Sequence, residues 1–274
     1  MHWMALVSSM LKLAIPSDGA LYEPSMEFLS GCGMGISRPN LRGYTASIFS
    51  LPDVVVHFQR GSDIASKVEE GSAELGLVGY DRFLETKREG GDTGIVIQNL
   101  GFGQANLVLA VPDSWIDVVS LADLADLSLE FRQKGMDLRV ATKYPRLVER
   151  FFLEHGVVYF SLVSSSGTLE AAPSMGYSDI IADISSSGTT LRENRLKTIN
   201  GGTVLESQAC LISNRLLMRL DDGKLNTAIL MTERIQARLQ AFEYYSVTAN
   251  IKGKDQESVA RYVRGHADIS GLRG

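Results

Sequence analysis

The stretch SDIIADISSSGTTLRE, residues 178–193, decides how this chain is read. An apolar run ends in the carboxylate of Asp183, and a Ser/Gly/Thr loop follows it. Thr190 and Glu193 then stand at capping-box spacing, which predicts the start of a helix. A buried strand leading through a polar loop into a helix is the repeating unit of an α/β protein. Outward from it the pattern recurs. Strands are predicted at 13–15, 54–58, 75–78, 107–111, 138–141, 157–163, 179–184 and 203–212. Helices are predicted through Phe28 and Leu29, over 64–68, near 121–127, from Pro145 to His155, from Thr168 and from Thr190. Pro145 suits a first helical turn and Gly156 the C′ position. Pro112 and Asp113 mark a passage between two βα-rich lobes.

With 274 residues, 45% hydrophobic and 22% charged, the chain has the composition of a globular protein and room for two domains. A net charge of −5 speaks against nucleic-acid binding through a broad basic surface. No apolar run approaches the roughly 18 residues that cross a bilayer, so no membrane span is expected. The opening MHWMALVSSML lacks a basic n-region and reads as a ragged start, not a secretory signal. Cys32 and Cys210 form no C-x-x-C pair, so reduced thiols in a cytosol are expected. In the tail, Ala228, Met231, Ile235, Leu239 and Phe242 share a helical face. Tyr245, Val247, Ala249 and Ile251 alternate as a strand, and a second helix carries Val259, Tyr262 and Val263. One strand cannot satisfy its own backbone groups, so this module must pair with something.

The loop after Asp183 suits a phosphate. Amides at a helix start lie at the positive end of its dipole, and the hydroxyls of Ser186, Ser187, Thr189 and Thr190 add small donors. Asp183 is placed to accept from ribose hydroxyls or to help hold a hydrated magnesium ion. A phosphorylated sugar fits, although an isolated run of this kind is more often a plain turn. No Gly-Lys-Ser/Thr follows, so a Walker A loop is excluded. A near-echo, SSSGTLE at 164–170, either faces the same cleft or is merely another tight turn. Arg60 and Asp63, Asp81, and Thr142 with Lys143 follow other predicted strands, where open sheets bind ligands. Such residues are more often caps or surface groups. His57 reads as a satisfied interior histidine and His155 as a helix-end residue; His2 and His266 lie near the chain ends. No His/Cys/acid group has metal-ligand spacing, and no Ser-His-Asp set can be drawn.

The longer stretch EAAPSMGYSDIIADISSSGTTL, residues 170–191, resembles the signature of ATP phosphoribosyltransferase, the first enzyme of histidine biosynthesis. IPSDGAL at 15–21, RGSDI at 60–64, ELGLVGYD at 74–81, LGFG at 100–103, RVATKYP at 139–145 and ESQACLI at 206–212 are similar to further segments of that family, in the same order. The resemblance runs from about residue 12. It implies a two-lobed catalytic unit like that of periplasmic binding proteins, with lobe I over 12–107 and 193–217 and lobe II over 108–192. Residues 225–274 would be a partial ferredoxin-like α+β regulatory module. The reaction implied is transfer of phosphoribosyl from phosphoribosyl pyrophosphate (PRPP) to N1 of ATP, with Mg2+, in the cytoplasm.

By the same resemblance, Asp183 is the catalytic acid facing the ribose, and Glu170, Ser186, Ser187, Gly188, Thr189 and Thr190 bind PRPP. Gly19, Arg60, Asp81 and Thr142 would place ATP or pyrophosphate, with magnesium held through substrate phosphates. A dimer or hexamer is implied. Asp18 stands where the family commonly has a basic residue, and the tail ends before a full histidine-binding module can be built, so histidine inhibition is not assumed. The alternatives are an inactive paralogue or regulatory subunit, and a solute-binding protein on the same plan.

Overall fold

A computed structural model describes residues 10–40, 43–164, 168–241, 255, 257–259 and 261. By its contacts the chain divides into a unit over 1–239 and a second over 240–274. The strand expected in the tail lies outside the described residues, and of the second helix only 257–259 and 261 are described, all helical.

The first unit holds two sheets. One comprises β1 (Leu11–Pro16), β2 (Ile36–Ser37), β3 (Thr45–Ile48), β4 (Leu51–Gln59), β5 (Leu75–Gly79), β6 (Thr93–Ile97) and, far later in the chain, β12 (Ala209–Asn214). Its order is β2-β3-β4-β1-β5-β12-β6. The other comprises β7 (Ala105–Pro112), β8 (Leu138–Thr142), β9 (Phe160–Ser164), β10 (Ile180–Ser185) and β11 (Leu196–Ser207), in the order β11-β7-β10-β8-β9. Each has a parallel run of three strands, β4-β1-β5 within the first and β10-β8-β9 at one side of the second. The first also takes in antiparallel β3 and β12, and the second antiparallel β7. The α/β class and the two lobes expected from the alternation are present.

Helices α1 (Tyr22–Gly31), α2 (Ile64–Glu69), α3 (Tyr80–Thr86), α7 (Arg215–Leu220) and α8 (Asp222–Ala241) go with the first sheet. The second takes α4 (Leu121–Gln133), α5 (Pro145–Glu154) and α6 (Thr189–Glu193). On one face of the first sheet Leu13, Ile15, Val56 and Phe58 pack against Phe28 and Leu29 of α1 and Met231 and Ile235 of α8. On the other, Ala14 and Ile212 lie beneath Ile64 and Val68 of α2. Gly76 permits that approach, since a Cβ there would stand 2.8 Å from a methyl of each. In the second lobe Leu109, Val140 and Ile180 meet Leu124, Val148 and Phe152. A capping box starts α4: Ser120 Oγ accepts the Asp123 N–H, and Asp123 Oδ2 accepts the Ser120 N–H at 2.8 Å.

Several local expectations change. The strand predicted over 203–212 is two strands: β11 ends at Ser207 in the second sheet and β12 starts at Ala209 in the first. Lobe I therefore does not take up the chain at 193, because Leu196–Ser207 pairs along β7. The strand predicted from 157 begins at Phe160. Gly156, with φ +77°, ends α5, and the Val157 N–H returns to the Phe152 carbonyl at 2.9 Å. No helix starts at Thr168; a run of turns fills 170–176, with Pro173 and the positive φ of Gly176 inside it. The module expected from 225 has its first helix elsewhere: Ala228, Met231 and Ile235 are buried in the core of the first lobe. Their helical stripe matches the open face of that sheet. Glu74 also anchors α8, its side chain only 3% exposed and paired with Lys224 Nζ at 2.6 Å. Among the described residues no helix is long and apolar enough to cross a membrane.

Candidate active site

Strand ends from both lobes meet at one cleft. Asp18, Gly19, Asp81 and Arg82 from the first lobe, and Lys143 and Asp183 from the second, line a cavity of about 660 Å3. This is the place outside strand carboxyl ends where open α/β sheets take ligands. Asp183 and Ser186 also line an adjoining hollow of about 100 Å3, together with Glu170 and residues 187–191.

Asp183 follows three buried residues on β10 and is itself half-buried. Its Oδ1 accepts the Ile184 N–H at 2.8 Å. Burial raises its pKa and the nearby Glu170 adds to the rise, while the Ile184 N–H, Lys143 and Arg82 oppose it. The loop beyond is partly occupied with itself. The Gly188 N–H is 3.0 Å from Ser185 Oγ and the Thr189 N–H 3.4 Å from Ser187 Oγ. Gly188, at φ +69°, is the N-cap of α6, and no side chain caps that helix. The capping box predicted from Thr190 and Glu193 is not formed, because Thr190 is already the second residue of the helix, two places past the N-cap. Arg192 instead ties down the loop by donating to the Ser187 carbonyl at 3.2 Å and to Thr189 Oγ1 at 3.1 Å.

Asp81 joins the lobes. Its Oδ2 accepts from the Tyr144 hydroxyl at 2.6 Å and its Oδ1 from Ser207 Oγ at 2.6 Å. Burial, and then the Asp81 carboxylate, hold the Tyr144 phenol well above its usual pKa, so it remains a donor. Four residues on, Glu85 crosses the same boundary and accepts the Arg146 and Leu147 N–H groups at the start of α5, at 3.0 and 3.1 Å.

Other predicted residues lie apart. Thr142 is 2% exposed and stands behind the cleft wall, its hydroxyl accepting the Tyr144 N–H at 3.0 Å. Arg60 is exposed and outside the cavity lining, where its neighbours Gly61 and Ser62 stand instead. His57 is half-buried on β4 and is not the satisfied histidine expected: among the described residues its Nε2 finds no partner, and burial lowers its pKa. His155 Nδ1 lies 2.8 Å from the Phe151 carbonyl. Burial pushes the thiols of Cys32 and Cys210 up to about 11 and about 12, so neither is a ready nucleophile. Among the described residues no group of His, Cys, Asp and Glu could hold a metal ion by itself.

The sequence profile of the ATP phosphoribosyltransferase family matches residues 60–240, which include Asp81, Tyr144, Asp183 and the loop. The chain belongs to that family. It is 42% identical to an ATP phosphoribosyltransferase of Mesorhizobium japonicum over 209 residues, 75% of this chain and 90% of that protein. It is 39% identical to the chloroplastic ATP phosphoribosyltransferase 2 of Arabidopsis thaliana over 266 residues, 96% of this chain but 64% of the plant protein. This chain thus spans less than two thirds of that relative. A solved ATP phosphoribosyl transferase (HisG:HisZ) complex from Thermotoga maritima contains a chain of the same fold, with a TM-score of 0.64 at 24% identity, covering 85% of this chain and all of that one.

In this ATP phosphoribosyltransferase-family chain, sequence reading missed Tyr144, Ser207, Glu85 and Arg82. Tyr144 lay within RVATKYP and Ser207 within ESQACLI, so the family segments carried a signal for both. Nothing local marks Glu85 or Arg82, whose partners are some 60 residues away.

Proposed function

We propose that the protein transfers 5-phosphoribosyl from PRPP to N1 of ATP, releasing pyrophosphate, as the first step of histidine biosynthesis. The observation that carries this reading is the half-buried Asp183 shared by the cleft and the Ser186–Thr190 hollow, in a chain of this family. The N1 lone pair of ATP forms the new bond to the ribose anomeric carbon as the bond to the pyrophosphate oxygen breaks, and both electrons of that bond leave with pyrophosphate. The passing state is cationic at the sugar, so the protein has to orient two phosphorylated reactants and stabilise the leaving charge. Asp183 would accept from the ribose hydroxyls and lie close to the developing positive charge. The hydroxyls and amides of 186–190 would take the 5′-phosphate, displacing the weak internal contacts of Gly188 and Thr189.

Magnesium fits the donors present. Asp183 and Glu170 offer hard carboxylate oxygens to one hollow, and magnesium is commonly held by one or two carboxylates plus substrate phosphates. Bound there, it would neutralise charge on the departing pyrophosphate. We carry over from the family assembly into a dimer or hexamer, and action in the cytoplasm on freely dissolved substrates.

The test is pyrophosphate release. With magnesium, release should require ATP and PRPP together. A folded sample giving none with both present overturns the proposal.

A further inference from the structure

Two cations face the cleft from opposite lobes, both within electrostatic reach of Asp183 but neither in a salt bridge with it. Arg82 leaves α3 of the first lobe and lays its guanidinium over the ring of Tyr144, 4.2 Å from the centroid. Lys143, on the second lobe, is exposed at the cavity wall. Arg82 Nη1 points at the Lys143 carbonyl from 3.4 Å, a long contact. Among the described residues neither side chain enters an ion pair. Asp81, next to Arg82 in the chain, has both carboxylate oxygens engaged by Tyr144 and Ser207. The stacked guanidinium is therefore held in place by an aromatic face and not by a carboxylate. Asp183 and Asp18 share the cavity wall without forming a salt bridge to either cation, and a planar guanidinium with an ammonium nearby suits the several oxygens of a phosphate chain.

We infer that Arg82 and Lys143 receive a polyphosphate chain across the cleft, with Tyr144 as the positioning residue whose ring carries Arg82. This rests on the proposed function for the identity of the chain, which is the diphosphate of PRPP or the triphosphate of ATP. The site is separate in kind from the Ser186–Thr190 loop, which would hold the single 5′-phosphate.

Isothermal titration of the full chain with magnesium and, separately, inorganic pyrophosphate, ATP and ribose 5-phosphate tests it. Arg82→Ala should weaken pyrophosphate or ATP about 10- to 100-fold, the worth of a charge-assisted contact. Ribose 5-phosphate, which lacks a polyphosphate, should change by less than about twofold. Loss confined to pyrophosphate places the PRPP diphosphate here, and loss confined to ATP places the triphosphate. Tyr144→Leu should reproduce the loss, and Tyr144→Phe, which keeps the ring, should restore most of the affinity. Arg82→Lys, safe for folding, should fall between wild type and Arg82→Ala.

Unchanged affinity for both polyphosphates in Arg82→Ala, no pyrophosphate or ATP binding by the wild type, or an equal loss for ribose 5-phosphate overturns the inference. The two readings fail separately. Arg82-dependent polyphosphate binding without turnover sinks the reaction alone. Turnover with Arg82-independent binding sinks only this site.

Discussion

Asp183 is held where its charge costs the fold something. Burial lifts its pKa above the ordinary 3.8, so the native chain keeps this proton to higher pH than the unfolded chain does. The stability linked to that proton is full below the ordinary pKa and is lost as pH rises through the raised native value. At neutral pH the ionised group is a burden. Asp183→Asn is therefore expected to raise the urea midpoint at pH 7 with an unchanged m-value, and to bring no gain near pH 3. The same change should lower kcat/KM for PRPP about 10- to 100-fold, since a neutral amide supports the ribose hydroxyls and the cationic sugar less well. Urea titrations at the two pH values, beside PRPP kinetics, check both; a lower midpoint at pH 7 contradicts the assignment. Asp183 stood out in the sequence because it ends an apolar run inside a long contiguous stretch, residues 170–191, that resembles the family signature. Tyr144 was not, since a tyrosine before a proline says nothing about a carboxylate 63 residues earlier.

Between elements, two buried acids do what no local cap could. Glu85, 8% exposed, supplies the acceptors for the start of α5 from the other lobe. Glu85→Ala should cost about 1–3 kcal/mol in urea unfolding, because two helix N–H groups lose their partner; Glu85→Gln, which keeps an oxygen, should cost less. Glu74 and Lys224 tie α8 to the first sheet with side chains 3% and 12% exposed. Lys224→Met should cost about 3–5 kcal/mol by taking the cation from a buried carboxylate that keeps the Lys12 N–H, and Glu74→Gln with Lys224→Met should recover part of that loss. Equal stability of the single and double variants would contradict it. The helix itself was readable from its apolar stripe, but its docking site was not. The split between β11 and β12 was hidden for a similar reason. Alternating residues look the same whichever sheet they join, and only pairing to β7 or to β5 separates them.

For the molecule as a whole, the chain passes between the sheets through residues 98–104 and at Gln208, with the cleft beside those crossings. A ligand held by residues of both lobes favours the folded chain through binding linkage. PRPP with magnesium at about a hundred times its Kd should add about 2.7 kcal/mol to the unfolding free energy, seen as a rise in thermal midpoint. No shift at a concentration that saturates titration would show that binding does not require the intact two-lobed unit.

The α/β class, the two lobes and the Asp183 loop were determined by the sequence alone, because periodicity, turn residues and a contiguous motif act over a few neighbouring positions. The tertiary structure decided which groups meet: Tyr144 with Asp81, Ser207 with Asp81, Glu85 with the start of α5, and Arg82 on an aromatic ring. Those partners lie about 60 to 126 residues apart in the chain. Their contact depends on two sheets closing around a common cleft, and no local pattern of side chains encodes that.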